Sequence, residues 1–162
     1  MNSNKPLNDF DKNISKTLMD RLDTKSDEES ILALKQALSV NPNQPQVYWM
    51  LALATGNIEE KISYLLDGIK LFEKMKGTEY ISAQNGHFWD KEEDQIYILL
   101  RSEFAKQLWK NGNRAQAVRN IELLLLLDLD DNLGLRFLII NWLLYLNDLK
   151  NAIAFAKENQ IT

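Results

Sequence analysis

A chain of 162 residues, 45% hydrophobic and 26% charged, is the size of one soluble domain and long enough to bury a good core. A formal charge of −4 and a pI near 5.1 argue against nonspecific nucleic-acid binding, which draws on clustered lysine and arginine. The absence of cysteine rules out disulfides, thiolate metal sites and cysteine nucleophiles, and the few prolines and glycines do not suit a loop-rich β fold.

Residues 1–8 read as a flexible N-terminal tail without the apolar segment of a signal peptide, and residues 9–162 as one helical repeat domain. Asp9 is placed to cap a first helix with Phe10, Ile14, Leu18 and Leu22 at i, i+4 steps. Ser26 with Glu29 has the spacing of a capping box and opens a helix that turns Ile31, Leu32, Leu34, Ala37 and Leu38 inward. Asn41-Pro42-Asn43 ends it, because proline pushes its preceding residue out of helical geometry.

The next predicted helix spans Pro45 to Ala54, with Tyr48, Leu51 and Ala52 facing in. After a Gly56-Asn57 turn, Asn57 with Glu60 again has capping spacing and starts a helix from Ile58 to about Met75, offering Ile62, Leu65, Leu66, Ile69 and Phe72. Residues 76–89 read as an irregular insertion with Gly77 and Gly86 near its ends. Asp90 with Glu93 is expected to cap the next helix.

The stretch from Ile96 to Leu129 reads as two antiparallel helices around which the chain is organised. The first carries Ile96, Leu100, Phe104, Ala105 and Leu108 on one face, and Asn111-Gly112 stops it. Asn113, with Gln116 three residues on, is expected to cap the second, which presents Ala117, Val118, Ile121, Leu124 and Leu125. Asp130-Asp131 opens a strongly apolar helix through Leu146, and Asn147-Asp148 leads into a last helix with Ala152, Ile153 and Ala156. The run from Leu133 to Leu146 contains Arg136 and Asn141 and is shorter than the ~20 residues of a membrane span, so the expectation is a cytoplasmic protein.

These eight helices pair, and the pairs repeat. Gly112 and Asn147, Ala117 and Ala152, and Arg101 and Arg136 each stand 35 residues apart. That matches the period of about 34 residues of tetratricopeptide repeats. The predicted fold is therefore all-α: a tetratricopeptide-like right-handed α-solenoid of about four helix pairs with an insertion before the third.

Gly86-His87-Phe88-Trp89, Tyr97 with Arg101, Leu108-Trp109-x-x-Gly112, and Asp131-Asn132-x-Gly134-x-Arg136-Phe137-Leu138 add a family likeness. The combination resembles a group of mostly uncharacterised bacterial tetratricopeptide-like proteins, similar to the repeat region of the animal suppression-of-tumorigenicity family. It covers roughly residues 41–157. The sequence departs from that pattern at Gln95-Ile96, where the family usually has Arg-Pro, and at Leu133, where it has Gln. The resemblance implies the repeat fold and says little about activity.

His87 is the only histidine, and Asp90, Glu92, Glu93 and Asp94 come after it. Histidine with carboxylates suits a metal, yet acids in a first helical turn are also favoured by the helix dipole, and no second histidine supports a metal site. With no nucleophile motif, phosphate loop or dinucleotide fingerprint, the expectation is a non-enzyme without cofactor or metal. Phe88 and Trp89 have two readings, a plug between the insertion and the helix pair or part of an aromatic ligand site with His87.

Arg101 and Arg136 fall at equivalent sites. One reading pairs each with a neighbouring carboxylate or carbonyl; the other makes them an anion clamp for a peptide. Asn132 and Asn141 can add amide contacts to an extended backbone, and Trp109 and Tyr97 complete the candidate groove. The sequence thus points to a protein–protein interaction module binding a peptide or partner in a concave helical groove, without nucleic acid or membrane. The alternative is self-assembly as a homodimer through the very apolar C-terminal repeat.

Overall fold

The computed structural model describes residues 27–159, which form eight α-helices and, among the described residues, no strand beyond one isolated bridge. The helix expected over residues 9–22 and the Ser26 cap lie outside the described residues. The helices are α1 (Asp27–Val40), α2 (Pro45–Ala54), α3 (Ile58–Lys76), α4 (Thr78–Ala83), α5 (Glu92–Lys110), α6 (Arg114–Leu127), α7 (Leu135–Tyr145) and α8 (Leu149–Glu158).

Local chemistry sets most of these boundaries. Pro45 sits at the start of α2, where its missing N–H costs nothing. Asn57 caps α3 as the sequence predicts, its side chain accepting from the N–H groups of Glu59 and Glu60 at 2.9 and 3.1 Å. The glutamates at its start and lysines at its end also complement its dipole.

Two expected capping boxes do not form. The Asn113 side chain makes no cap bond, and α5 begins at Glu92 behind Lys91, not at an Asp90 cap. Asp90 instead lies beside His87, and Glu93 is drawn off by Lys76. A charged partner at close range wins over the weaker local cap.

The end of α5 and the end of α7 share one backbone design. Gly112 (φ +85°) and Asn147 (φ +59°) both adopt the left-handed conformation. Each is followed by an N–H that reaches five residues back, Asn113 to Leu108 and Asp148 to Leu143, both at 2.9 Å. This is the 6→1 bond that closes helices. Ala117 and Ala152, five residues beyond each turn, are both buried. The 35-residue spacing is therefore present in the backbone of these two helix pairs.

Each helix packs mainly on its sequence neighbours: α1 on α2, α2 on α3, α3 on α5, α5 on α6, α6 on α7 and α7 on α8, with a further contact between α2 and α5. The main core joins Leu65, Ile69 and Phe72 of α3 to Ile96, Tyr97, Leu100 and Leu108 of α5, and continues through Ile121, Ile139 and Ala152. A smaller cluster of Leu34, Val47, Met50 and Leu51 joins α1 to α2, and Trp49 and Tyr64 pack against both.

The insertion is not irregular throughout. It contains α4, which packs on α3, and then returns to the α5–α6 hairpin. The Phe88 N–H donates to the Leu127 carbonyl at 3.2 Å, and His87 pairs with Asp128 in an antiparallel bridge. Gly86 (φ +86°) is required here, because a Cβ on it would meet Leu129 Cδ1 at 2.9 Å.

Candidate functional site

Three aromatic side chains and one arginine meet where α5, α6 and α7 come together. Trp109 and Trp142 stack with ring centroids 4.4 Å apart and planes 4° from parallel. Tyr145 stands edge-on to Trp109 at 5.6 Å. Arg114, the first residue of α6, lies over both Trp109 and Tyr145. Trp142 is buried, Trp109 half-buried and Tyr145 66% exposed, so the stack runs from the core to the surface. Phe137 (63% exposed), Asn141 and Leu144 continue the exposed row along α7 at helical spacing from Tyr145.

Tyr97 and Arg101 form a second group, on the α3 side of α5. Tyr97 is buried, stacks on Phe72 at 4.7 Å and lies 5.3 Å from Phe88. Its hydroxyl donates to Glu73 Oε1 at 2.7 Å and accepts from Arg101 Nη1 at 3.2 Å. Burial pushes the Tyr97 phenol above its ordinary range; the Arg101 charge opposes that shift and the Glu73 contact reinforces it. The Arg101 guanidinium lies over the Tyr97 ring, and its Nε is buried with no acceptor among the described residues.

Arg136 has a different environment. Its Nε donates to Asn159 Oδ1 at 3.0 Å, its Nη2 to the Leu129 carbonyl at 2.5 Å, and its Nη1 lies 3.9 Å from Asp131. Arg101 and Arg136, equivalent in sequence, therefore share no partner. Arg136 ties the loop before α7 to the end of α8. In that loop Asp131 (φ +53°) accepts from the N–H groups of Leu135 and Arg136 at 2.6 and 3.1 Å and caps α7 from four residues upstream. Asn132 gives both its backbone N–H and its side-chain amide to the buried Asp128, each at 2.8 Å. Asn141 is the only candidate amide that lies exposed on a helix.

Within the insertion, His87 is exposed with Nδ1 3.0 Å from Asp90 Oδ2. Phe88 is fully buried beside Phe72 and Tyr97, and Trp89 is half-buried against the same core. Among the described residues no group of three or more histidine, aspartate or glutamate side chains is placed to hold a metal ion.

Sequence reading missed the buried Asp94. It accepts from the Tyr80 hydroxyl at 2.6 Å and lies 3.2 Å from Lys76 Nζ, off the hydrogen-bonding direction. Lys76 also donates to Glu93 at 2.7 Å and lies over the Tyr80 ring. Burial works against the Lys76 charge, but its contacts to Glu93 and Asp94 outweigh that and hold its pKa above the ordinary lysine value. Lys76 in turn holds the Glu93 carboxyl below its usual value. The signal available was Lys76 and Tyr80 flanking a glycine, followed by acids, and it does not specify which acid is buried. Arg114 and Tyr145 were missed as well, since an arginine opening a helix and a tyrosine ending one carry no motif.

No family model, curated protein or solved structure matches the chain. Among the described residues, no helix is long and apolar enough to cross a membrane. What the protein does must therefore be argued from its surface.

Proposed function

We propose that this is a non-catalytic protein–protein interaction module, built as a tetratricopeptide-like right-handed α-solenoid and holding a peptide of a partner protein on the concave side. The two matching helix ends 35 residues apart and the neighbour-to-neighbour packing support the solenoid. The observation that carries the binding reading is the row Phe137, Asn141, Leu144 and Tyr145 on α7. It is exposed and mostly apolar, and it runs into the Trp109–Trp142 stack. Contiguous exposed apolar surface marks interaction sites. A non-catalytic role fits the sole histidine, which is exposed and lies 3.0 Å from Asp90. Such a module belongs in the cytoplasm, with neither nucleic acid nor membrane as its partner.

The test is affinity capture with the wild-type chain and with a Phe137→Ser/Leu144→Ser variant matched for helicity by circular dichroism. A protein retained by the first and lost by the second supports the reading. Identical retention on both overturns it.

A second reading, assembly of two copies through the C-terminal repeat, rests on α8. Val118 in α6 packs against the core, whereas Ile153, its equivalent 35 residues on, is 53% exposed, and Leu149, one turn before it in the same helix, is 56% exposed. Light scattering across a concentration series, with Leu149→Ser/Ile153→Ser as control, decides it. A strict monomer at every concentration removes this reading.

A further inference from the structure

The Arg114 guanidinium lies against two rings, its Cζ 5.5 Å from the Trp109 centroid and 4.7 Å from that of Tyr145. Trp109 is itself fixed by its stack on Trp142. Contact with both rings restricts the side chain, so part of the entropy that an exposed arginine loses on binding is already lost. Nη2 donates to the Tyr145 hydroxyl at 3.3 Å, and Nε is buried without an acceptor among the described residues. Nη1 has no acceptor among them either and is not buried, so that edge of the fork faces solvent. No carboxylate among the described residues lies within 4.0 Å of Arg114.

Arg101 makes an instructive contrast. It too lies over a tyrosine, bonds the hydroxyl and has a buried Nε without an acceptor. The Tyr97 hydroxyl, however, passes on to the Glu73 carboxylate at 2.7 Å. The Tyr145 hydroxyl makes no such onward contact among the described residues. Arg114 is thus a cation whose Nη1 is unclaimed among the described residues and whose Nη2 makes one long bond to Tyr145, with no carboxylate within 4.0 Å, beside an exposed apolar row.

We propose that Arg114 is the carboxylate seat of this face. The occupant is an extended peptide segment in which an aspartate or glutamate adjoins large apolar side chains. The carboxylate pairs with the outer edge of the guanidinium while the apolar groups cover Leu144 and Phe137. The inference rests on the reading of this face as a peptide-binding surface. A carboxylate suits the site because a planar fork held by rings presents two parallel N–H donors to its two oxygens.

The test uses a set of N-acetylated, C-amidated hexapeptides in which Glu stands beside Leu, Ile or Phe, each with its Gln counterpart. Binding to the full chain is read by fluorescence anisotropy of labelled peptide. One charge-assisted bidentate pair should make the best Glu peptides bind about ten-fold more tightly than their Gln partners. Raising the salt should narrow that gap. Arg114→Gln should abolish the preference, and Arg114→Lys should retain little of it, because lysine keeps the charge without the fork. If Arg114→Gln does not fold, the Arg114→Lys variant carries the test. Equal binding of Glu and Gln peptides, or a preference that survives loss of Arg114, overturns the seat and leaves the face standing. Failure of every peptide to bind overturns both.

Discussion

Gly68 offers a stringent check on how closely α2, α3 and α5 approach one another. It lies buried in the interior of α3, where an alanine would ordinarily stabilise the helix by about 1 kcal/mol. A Cβ at this position would stand 2.9 Å from Leu100 Cδ2 and 3.0 Å from Tyr48 Cβ. Leu100 can rotate, but Tyr48 Cβ is one bond from the backbone of α2, so that helix itself must shift. Because a helix must shift, the cost falls at the upper end of the roughly 1–3 kcal/mol of overpacking, and less the propensity gain it leaves Gly68→Ala about 2 kcal/mol less stable. For a chain of this length that is a fall in Tm of about 4–8 °C. Gly56 is the internal control: nothing lies within 4 Å of its Cβ position, so Gly56→Ala should be neutral or slightly stabilising. Thermal and urea unfolding followed by circular dichroism would measure both. A Gly68→Ala variant as stable as wild type would show that the three helices do not meet as closely as these distances require.

Two further expectations concern the loops. Removing the Asp131 side chain uncaps α7 and places alanine in the left-handed region, so Asp131→Ala should lose roughly 1–3 kcal/mol. Asp131→Asn, which keeps one oxygen to accept from Leu135 and tolerates that conformation, should lose less; equal losses in urea titrations would sink the cap assignment. The link between the end of α3 and the start of α5 should depend on pH at both ends. Glu93 is held below its ordinary 4.5, so its contribution is present above that value and is lost as pH falls through the lowered one. Lys76 is held above 10.5, so its contribution is complete below that value and disappears as pH rises through the raised one. Trp89 fluorescence across pH should show both flanks, and Glu93→Gln should weaken the acid flank; an unchanged acid flank would show that another group controls it.

The helices of the described region were legible because their apolar residues recur at helical spacing and their turns use glycine, asparagine and proline. The 35-residue register was legible for the same reason, and it reappears as paired turns at Gly112 and Asn147. Capping was legible in part. Asn57 caps α3 as its spacing predicts, whereas Glu93 is taken by Lys76 from another helix, which no local pattern reveals, and the Asn113 side chain makes no cap bond. α4 was hidden because its six residues, TEYISA, are too short for periodicity to register. Site residues were harder still. Arg101 and Arg136 occupy equivalent positions, but Arg101 bonds Tyr97 of its own helix, whose hydroxyl passes on to Glu73 of α3, whereas Arg136 bonds the loop before α7 and Asn159 just after α8. Register does not determine such partners. Arg114 gains its meaning only when Tyr145, 31 residues away, is folded against it.

The bridge between His87 and Asp128, with the Phe88 bond to Leu127, fastens the two open ends of the α5–α6 hairpin to each other. Chain and clasp together close a loop through α5 and α6, which carries the buried Tyr97, Phe88 and Ile121, whereas α1 and α8 each pack on a single helix among the described residues. Among the described helices those two are held from one side only, but the closed loop has no free edge from which to unravel. It should open as one unit and last, which places the slowest-exchanging amides of the protein in α5 and α6.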